Sequence, residues 1–261
     1  MSEKKPALWL RITAILIYAY IYIPILILMI FSFNTQKLNV RWEGFTFHWY
    51  AQLFSDQEVI LATRNSLTIA IFSTIIATII GTLAALALQR YRFPGYTLSE
   101  STLYIPVIIP EVVMGISLLA FFSLIKFSLG LTSITLAHIA FSIPFVALVV
   151  RARLHGFDKS IEEAAMDLGA NELVTFWRVT LPTIMPGVLA GALLAFTLSL
   201  DDYVITYFTA GPGSTTLPLR IFSMVRFAVT PKVNALSTLW VLSVFILLGI
   251  GQIVQRRQTR T

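Results

Sequence analysis

The chain has 261 residues, of which 57% are hydrophobic and 12% are charged, whereas an average soluble domain has about 25% charged residues. This composition leaves too little polar surface to cover a domain in water, so it excludes an ordinary soluble protein and predicts an integral membrane protein. The net charge of +6 comes from basic residues scattered along the chain, which argues against a nucleic-acid-binding stripe. There is no cysteine, so disulfides and thiolate metal sites are excluded.

Six apolar stretches are long enough to cross a bilayer, which takes roughly 20 residues in a helix. These predicted spans cover residues 12–33, 67–88, 102–125, 127–150, 186–208 and 233–255. The first is too long for the apolar core of a signal peptide and no small-residue cleavage site follows it, so we expect an uncleaved anchor. The predicted fold class is an all-α integral membrane protein with a single transmembrane domain, residues 1–261.

The lysine and arginine residues predict the orientation of these spans. Placing the N-terminus inside puts the larger share of them on the cytoplasmic side, among them Lys4, Lys5 and Arg260. Cytoplasmic segments of membrane proteins carry this excess of positive charge. Both termini are therefore predicted to be cytoplasmic, in a multi-pass membrane protein.

The loop after the first span, residues 34–58, has aromatic residues at helical spacing between positions 45 and 54. Trp and Tyr prefer the membrane–water interface, so this segment predicts a short amphipathic helix lying at the outer membrane surface. In the third span, Pro106 and Pro110 each remove a backbone donor and favour a kink.

Small residues and one histidine mark where spans are expected to pack. Gly187 and Gly191 stand four residues apart in the fifth span, and Gly81 lies in the second. Small residues at this spacing let helix backbones approach closely. His138, inside the fourth span, is expected to form a hydrogen bond between packed helices. The three histidines show no HExxH-like spacing, so no metal site is predicted.

A cytoplasmic segment, residues 151–182, separates the fourth and fifth spans. Ser160 is a candidate N-cap, and Glu163 three residues later completes a capping-box pattern. Gly169 suits the left-handed conformation that ends many helices. A second short helix is expected to start near Asn171 and to stop before Pro182. The periodicity alone leaves two interpretations, a docking element for a partner and an ordinary connector.

The same segment resembles the EAA loop of ABC-importer permeases. The family pattern is EAA-x3-G-x9-I-x-LP, and the chain has Glu163-Ala164-Ala165, Gly169 and Leu181-Pro182 at this spacing, with Val179 as a conservative departure from Ile. Most of the chain further resembles the C-type permease subunits of spermidine/putrescine importers, through stretches such as Trp42-x-Gly44-Phe45-Thr46-x2-Trp49-Tyr50 and Phe196-Thr197-Leu198-Ser199-Leu200-Asp201-Asp202.

The resemblance implies a type I ABC-importer permease (MetI-like) fold whose coupling helix sits in a groove of an ATP-binding subunit. The residues it assigns to that contact are Ser160, Glu162, Glu163, Ala164, Ala165, Asp167, Gly169 and Ala170. It also implies a second permease chain, two copies of the ATPase and a periplasmic polyamine-binding protein. No Gly-Lys dipeptide occurs in the chain, so the phosphate-binding lysine of a P-loop is absent. We therefore expect a transport subunit with no catalytic residues and no cofactor of its own, with ATP and magnesium held by the partner.

Three carboxylates interrupt the predicted spans. Counting along the helix places Glu111 of the third span near the membrane midplane, and Asp201 and Asp202 of the fifth span towards the outer leaflet. Acidic residues within a membrane are costly, usually face a bundle interior or a wet cavity, and are functional by default. Together with Tyr203 and Tyr207, which can make cation–π contacts, they are candidates for the path of a cationic solute.

A structural role for the two aspartates is the alternative. They would then cap a helix break or pair with Arg220 or Arg226. Adjacent residues point about 100° apart on a helix, so both would line one path only where the helix is broken.

The leading functional hypothesis is a permease that moves spermidine, putrescine or both inward by alternating access, powered by ATP hydrolysis on its partners. The same architecture serving another solute, such as iron(III), thiosulfate or another small ion, remains open. A proton-coupled secondary transporter using Glu111 and Asp201 is a weaker alternative, because six spans show no inverted repeat. An intramembrane enzyme would need a convergent nucleophile and base, and the sequence presents neither.

Overall fold

The computed structural model describes residues 8–37 and 39–258, and most of this part of the chain is helical. The helices are α1 (Leu8–Phe31), α2 (His48–Phe54), α3 (Gln57–Arg90), α4 (Tyr96–Ile108), α5 (Glu111–Leu124), α6 (Leu131–Leu154), α7 (Ser160–Asp167), α8 (Glu172–Thr175), α9 (Leu181–Asp201), α10 (Val204–Thr209), α11 (Leu217–Phe227) and α12 (Pro231–Gln258). A π-helical turn, Phe176–Thr180, joins α8 to α9. Lys4, Lys5 and Arg260, on which the predicted orientation partly rests, lie outside the described residues.

Four helical stretches of the described chain are long and apolar enough to cross a membrane. They are Leu8–Phe31, Gln57–Arg90, Leu131–Leu154 and Glu172–Asp201. The last includes α8, the π-helical turn and α9. These stretches correspond to the predicted first, second, fourth and fifth spans. In α12, the apolar part Pro231–Ile246 overlaps the predicted sixth span and is shorter.

The third predicted span is not one straight helix. The chain bends by 112° between its two halves, α4 and α5. Ile109 and Pro110 between them are extended, with ψ angles of 134° and 136°. A residue before proline is driven toward the extended region, so Pro110 sets the site of this break. Counting residues along one continuous helix therefore does not give the depth of Glu111.

The chain folds as two compact units, Met1–Ile60 with Ile221–Ser243 and Leu61–Arg220 with Val244–Thr261. In the first, the predicted helix between positions 45 and 54 is present as α2. Nearby, Lys232 donates to Asp56 over 2.7 Å. Burial raises the pKa of Asp56, but the hydrogen bond and charge of Lys232, with backbone N–H groups, hold this pKa below its ordinary value.

The core of the second unit lies between α3, α6 and α9. Its buried side chains include Leu86, Val150 and Ile184. A Cβ added at Gly191 of α9 would lie 3.2 Å from a Val146 methyl carbon. One added at Gly81 of α3 would lie 2.8 Å from the Val146 Cβ. The predicted close packing through small residues is confirmed, because larger side chains would push these helices apart.

Candidate functional site

The coupling segment, residues 151–182, contains α7, which ends at Asp167. Gly169, two residues further on, terminates the helix as predicted. This residue has φ +89°, the left-handed region that favours glycine. Its N–H donates to the Met166 carbonyl at 2.9 Å, and the Ala170 N–H donates to the Ala165 carbonyl at 3.1 Å. These two bonds form a Schellman motif, which closes the helix and redirects the chain toward α8.

The start of α7 differs from the prediction. Ser160 is the first residue of the helix, and no side-chain capping bond from Lys159 before it is present. The Asp158 carboxylate instead accepts from the Ser160 backbone N–H at 2.9 Å. The predicted capping box of Ser160 and Glu163 is therefore wrong, because the helix starts one residue earlier than predicted, Lys159 holds the N-cap position, and the Asp158 side chain before it accepts from the first helical N–H. The hydrogen bonds from Ser160 hold the pKa of Asp158 below its ordinary value.

The segment after Asn171 also differs from the prediction. The Asn171 side chain caps α8 by accepting from the Val174 N–H at 2.9 Å, near where a helix start was predicted. The chain then stays helical through the π-helical turn and into α9, with Pro182 in the first turn of α9. The predicted stop before Pro182 is wrong. Pro182 follows the π-helical turn and lies in the first turn of α9. A proline is tolerated in the first turn of a helix, because its missing N–H is not needed there.

Glu162 faces inward and joins three elements. Its carboxylate accepts from the Arg90 guanidinium, at the end of α3, and from the Thr180 hydroxyl, just before α9. Arg90 also donates to the Thr180 hydroxyl oxygen at 3.3 Å. Thr180 is fully buried, while the Arg90 and Glu162 side chains are 31% and 13% exposed. We call these three residues the Arg90 cluster.

The outward side of the coupling segment is apolar and exposed. Leu168 is 91% exposed, Leu173 70% and Trp177 61%. The other residues predicted to contact an ATPase are exposed or half-buried: Ser160, Glu163, Ala164, Ala165, Asp167, Gly169 and Ala170. Large apolar side chains left exposed within one short segment favour a protein interface there.

A second arginine cluster, which the sequence reasoning missed, holds α4 to the end of α6. Arg151 donates to the Glu100 carboxylate, to the Tyr104 hydroxyl at 3.0 Å and to the Tyr96 hydroxyl at 3.2 Å. The aromatic residues at the start of α4 were the available signal, since tyrosine hydroxyls often accept from arginine. This cluster fixes α4 to α6 at the end of α6 from which the coupling segment leaves.

The two aspartates at the far end of α9 have different environments. Asp201 is the last residue of α9 and is exposed, whereas Asp202 is 8% exposed. Asp202 caps α10, because one carboxylate oxygen accepts from the Thr206 N–H at 2.7 Å and the Thr206 hydroxyl at 2.8 Å. The other oxygen accepts from the Ile205 N–H at 3.3 Å. The helix break thus turns the two acids in different directions.

His138 lies beside Asp202 in the protein interior. Its Nδ1 is 2.7 Å from the Ser199 hydroxyl, and its Nε2 is 2.9 Å from the Thr206 hydroxyl. The same Nε2 is 3.3 Å from an Asp202 carboxylate oxygen. The predicted hydrogen bonding between helices is confirmed, because these partners lie in α9 and α10 while His138 belongs to α6.

Glu111 is the first residue of α5 and is exposed. Helix α5 packs on α10 so closely that a Cβ at Gly115 would lie 2.6 Å from the Phe208 ring. This packing brings the Glu111 carboxylate within electrostatic range of Asp201. The Tyr203 and Tyr207 rings lie 5.8 Å apart just beyond, and Tyr207 is 59% exposed. Two accessible acids therefore stand at neighbouring helix breaks.

The chain is similar to known transport proteins over most of its length. Residues 77–260 match the family described as binding-protein-dependent transport system inner membrane component. The spermidine/putrescine transport system permease protein PotC of Escherichia coli (strain K12) is 44% identical over 244 residues, covering 94% of this chain and 92% of PotC. The putrescine transport system permease protein PotI of the same strain is 44% identical over 238 residues, covering 88% and 85%.

Solved structures with low sequence identity share the fold. A chain from the crystal structure of a bacterial ABC transporter involved in the import of the acidic polysaccharide alginate has a TM-score of 0.75 and 18% identity. The match covers 96% of this chain and 95% of that one. Similarity at this level of identity concerns the arrangement of helices and carries no information on the transported solute.

Proposed function

The chain belongs to the family of binding-protein-dependent transport system inner membrane components, and on that premise we propose that it is the permease subunit of a polyamine importer. It is a multi-pass protein of the inner membrane. It carries spermidine, putrescine or both into the cytoplasm by alternating access, and ATP hydrolysis on partner subunits drives the cycle. The observation that carries the choice of solute is the 44% identity over 94% of the chain to a spermidine/putrescine permease.

The pair of accessible acids supports a cationic solute. Glu111 and Asp201 are both exposed and within electrostatic range of each other. Two carboxylates that interact electrostatically repel each other, and a cation bound beside them offsets this repulsion. Putrescine is a dication with one charge at each end, so it offsets both. Tyr203 and Tyr207 add aromatic faces that attract alkylammonium groups. Asp202 is buried and caps α10, so its role is to fix the geometry of the helix break.

The coupling segment supports the proposal that a separate ATP-binding subunit drives transport. Its outward residues, including Leu168 and Trp177, are exposed although they are apolar. We assign this surface to the ATP-binding subunit. The inward contact of Glu162 with Arg90 and Thr180 then joins the docked helix to α3 and α9. Movement of the motor is transmitted along α9, which reaches Asp201 at its other end.

The complete assembly that we propose has this chain, a second permease chain, two ATPase copies and a periplasmic polyamine-binding protein. ATP and magnesium belong to the ATPase. The chain crosses the membrane six times with both termini in the cytoplasm, so that α7 is cytoplasmic and the segment 34–58 is periplasmic. The broken pair α4 and α5 counts as one crossing in this topology.

Uptake of radiolabelled putrescine and spermidine in a strain lacking the gene for this chain tests the function. We expect uptake to fall by at least tenfold and to return when the chain is supplied on a plasmid. Sulfate uptake in the same cells is the control and is expected to stay unchanged. Normal uptake of both polyamines in the deletion strain would overturn the proposal.

The topology has its own test, because the chain has no cysteine and any introduced thiol is unique. Val40→Cys lies at a position 79% exposed in the segment 34–58. We expect a membrane-impermeant maleimide to label it from outside intact spheroplasts. Lys159→Cys, at an exposed position beside α7, should react only after the membrane is opened. The opposite pattern would reverse the orientation.

A further inference from the structure

A cavity of about 300 Å³ lies at the bend between α4 and α5. Both helices and the extended residues between them contribute to its walls, which include Ile105, Pro106, Ile109, Met114, Ser117 and Leu118. Among the described residues that line it, Ser117 has the one polar side chain. Cavities that bind small ligands typically have apolar walls with a few polar groups. This space, which we call the elbow cavity, therefore suits a ligand with an apolar body.

Glu111 stands at the end of the side of α5 that faces the elbow cavity. It precedes Met114 by three positions and Leu118 by seven, and residues at this spacing lie on one side of a helix. Ile109, two positions before Glu111, also lines the cavity. The Glu111 side chain is exposed. The elbow cavity thus has apolar walls and an accessible acid at its rim.

A second acid lies on the neighbouring side of α5. Gly115, four positions after Glu111, packs against Phe208 of α10. Glu111 also interacts electrostatically with Asp201, at the end of α9. Glu111 therefore lies between the elbow cavity on one side and the Asp201 carboxylate on the other.

The position of Glu111 indicates what this side of α5 faces. A carboxylate in contact with lipid hydrocarbon is costly, so acids within membrane spans face a bundle interior or a wet cavity. Because Glu111 and the apolar walls of the cavity share one side of α5, that side faces the path of the solute. The ligand of the elbow cavity therefore reaches it from this path.

We propose that the elbow cavity is a subsite for the methylene chain of a diamine whose ammonium groups bind Glu111 and Asp201. This inference rests on the proposed function and assigns the apolar part of the solute to a place in the protein. Putrescine has a tetramethylene chain between two ammonium groups. Its chain gains free energy by leaving water for the cavity, while its charges stay beside the acids. A metal ion has no apolar part, so the subsite favours alkyl diamines over metal ions.

The test uses the absence of cysteine from the chain, which makes an introduced thiol unique within it. Ser117→Cys places a thiol in the wall of the elbow cavity. The complete transporter with this variant is reconstituted in nanodiscs, where solutes reach both faces, and alkylation of the chain by N-ethylmaleimide is followed by mass spectrometry. Because putrescine and the maleimide compete for one space, ten times the half-protecting concentration of putrescine should slow alkylation by about tenfold.

The length of the diamine tests the contact with the methylene chain. From 1,3-diaminopropane to putrescine, the half-protecting concentration should fall about fourfold, as expected for one more buried methylene group. Equal values for the two diamines would overturn the role of the cavity walls. Adding Glu111→Gln should raise both values by about twofold to fivefold, which corresponds to the loss of an accessible ion pair. Unchanged values in that variant would overturn the role of the acid.

Ser123→Cys is the matched control. It adds a thiol at an exposed position of the same helix, outside the residues that line the cavity, and its alkylation rate should not depend on putrescine. If Ser117→Cys does not assemble, Leu118→Cys provides a second position in the lining. The same protection by putrescine is expected there.

The outcomes separate this inference from the proposed function. If the wild-type transporter does not carry putrescine into proteoliposomes, the proposed function fails. If it does, but the thiol in the cavity reacts at one rate with or without putrescine, the subsite is overturned and the function stands. A thiol that stays unreactive in the assembled transporter under both conditions would show that lipid or a second permease chain fills the cavity, which overturns the subsite equally.

Discussion

Helix α9 is irregular at both ends, and the two ends use charge in opposite ways. At its start, the π-helical turn lies beside the Arg90 cluster, whose ion pair is 31% and 13% exposed. At its end, the break after Asp201 lies beside the buried pair of His138 and Asp202, whose side chains are 3% and 4% exposed. The ion pair at the first end is therefore partly exposed, while His138 and Asp202 at the second end are buried.

This difference has energetic consequences. A partly exposed ion pair contributes about 0–1 kcal/mol to stability, so losing it changes how elements move together more than whether they fold. Removing one member of a buried, charged and hydrogen-bonded pair lowers stability by about 3–5 kcal/mol, because the remaining member is left buried without its partner. The comparison teaches that mutations at the start of α9 report on coupling, and mutations at its end report on folding and on the solute.

The largest effect is expected from Asp202→Ala. It removes the α10 cap and leaves His138 and Thr206 without their acceptor, so stability should fall by about 3–5 kcal/mol. Thermal unfolding of the detergent-solubilised protein measures this. Asp201→Ala is the matched control, and it should leave the unfolding temperature unchanged while raising KM for putrescine. Equal destabilisation by both variants would contradict the distinction between buried and accessible acids.

Gly169→Val should have the second-largest effect. A β-branched residue at φ +89° is strained, at a cost above the ~1–2 kcal/mol of an ordinary residue in this region. An added Cβ would meet nothing within 4 Å, so conformation alone is tested. We expect at least a tenfold loss of transport with normal membrane insertion. Gly169→Asn, which tolerates this conformation, should retain most activity. Wild-type uptake in the valine variant would remove the role of the Schellman motif.

A mutation in the Arg90 cluster should have a smaller effect on transport, and exchanging the two charges of its ion pair should partly reverse that effect. Glu162→Arg places two cations together, and we expect transport to fall several-fold while ATP hydrolysis continues, because the motor no longer moves α9. Adding Arg90→Glu restores an opposite pair and should recover part of the coupling. The readout is the number of ATP molecules hydrolysed per polyamine transported. Equal coupling ratios in the single and double variants would show that Arg90 and Glu162 do not act together.

Asp158→Asn should have the smallest effect. The pKa of Asp158 is lowered by the hydrogen bonds from Ser160, so the charged cap stabilises α7 above the unfolded pKa near 4 and loses that contribution only as pH falls below it. Between pH 6 and 8 we expect no pH dependence from this residue. Asparagine also caps helices, so transport should change less than twofold. A large change in this pH range would contradict the assignment.

The sequence predicted features that local backbone chemistry requires. Gly169 was identifiable because a helix end needs a left-handed residue, and Gly81 and Gly191 because close helix packing needs small side chains. The spacing of the coupling segment carried the family resemblance. The break at Pro110 was expected as a kink, but its angle of 112° depends on the packing of α5 against α10, which no local pattern encodes.

Contacts between distant residues could not be predicted in this way. Glu162 was assigned to a partner protein, yet its carboxylate meets Arg90, 72 positions away. The division between Asp201 and Asp202 depends on where α9 ends, and the sequence left that open. The cap of α7 failed as a prediction because Ser160 and Asp158 both have side chains that can accept from a helix-start N–H, and the position of the first helical residue decides which of them does so.

Crosslinking from α7 tests the account most directly. Ala164→Cys introduces the only thiol at an exposed position of the coupling helix. In inside-out vesicles that contain the assembled transporter, a short thiol-to-amine crosslinker should join this thiol to a subunit that binds and hydrolyses ATP. Capture of no such subunit, together with labelling of the thiol only from the periplasmic side, would contradict the account.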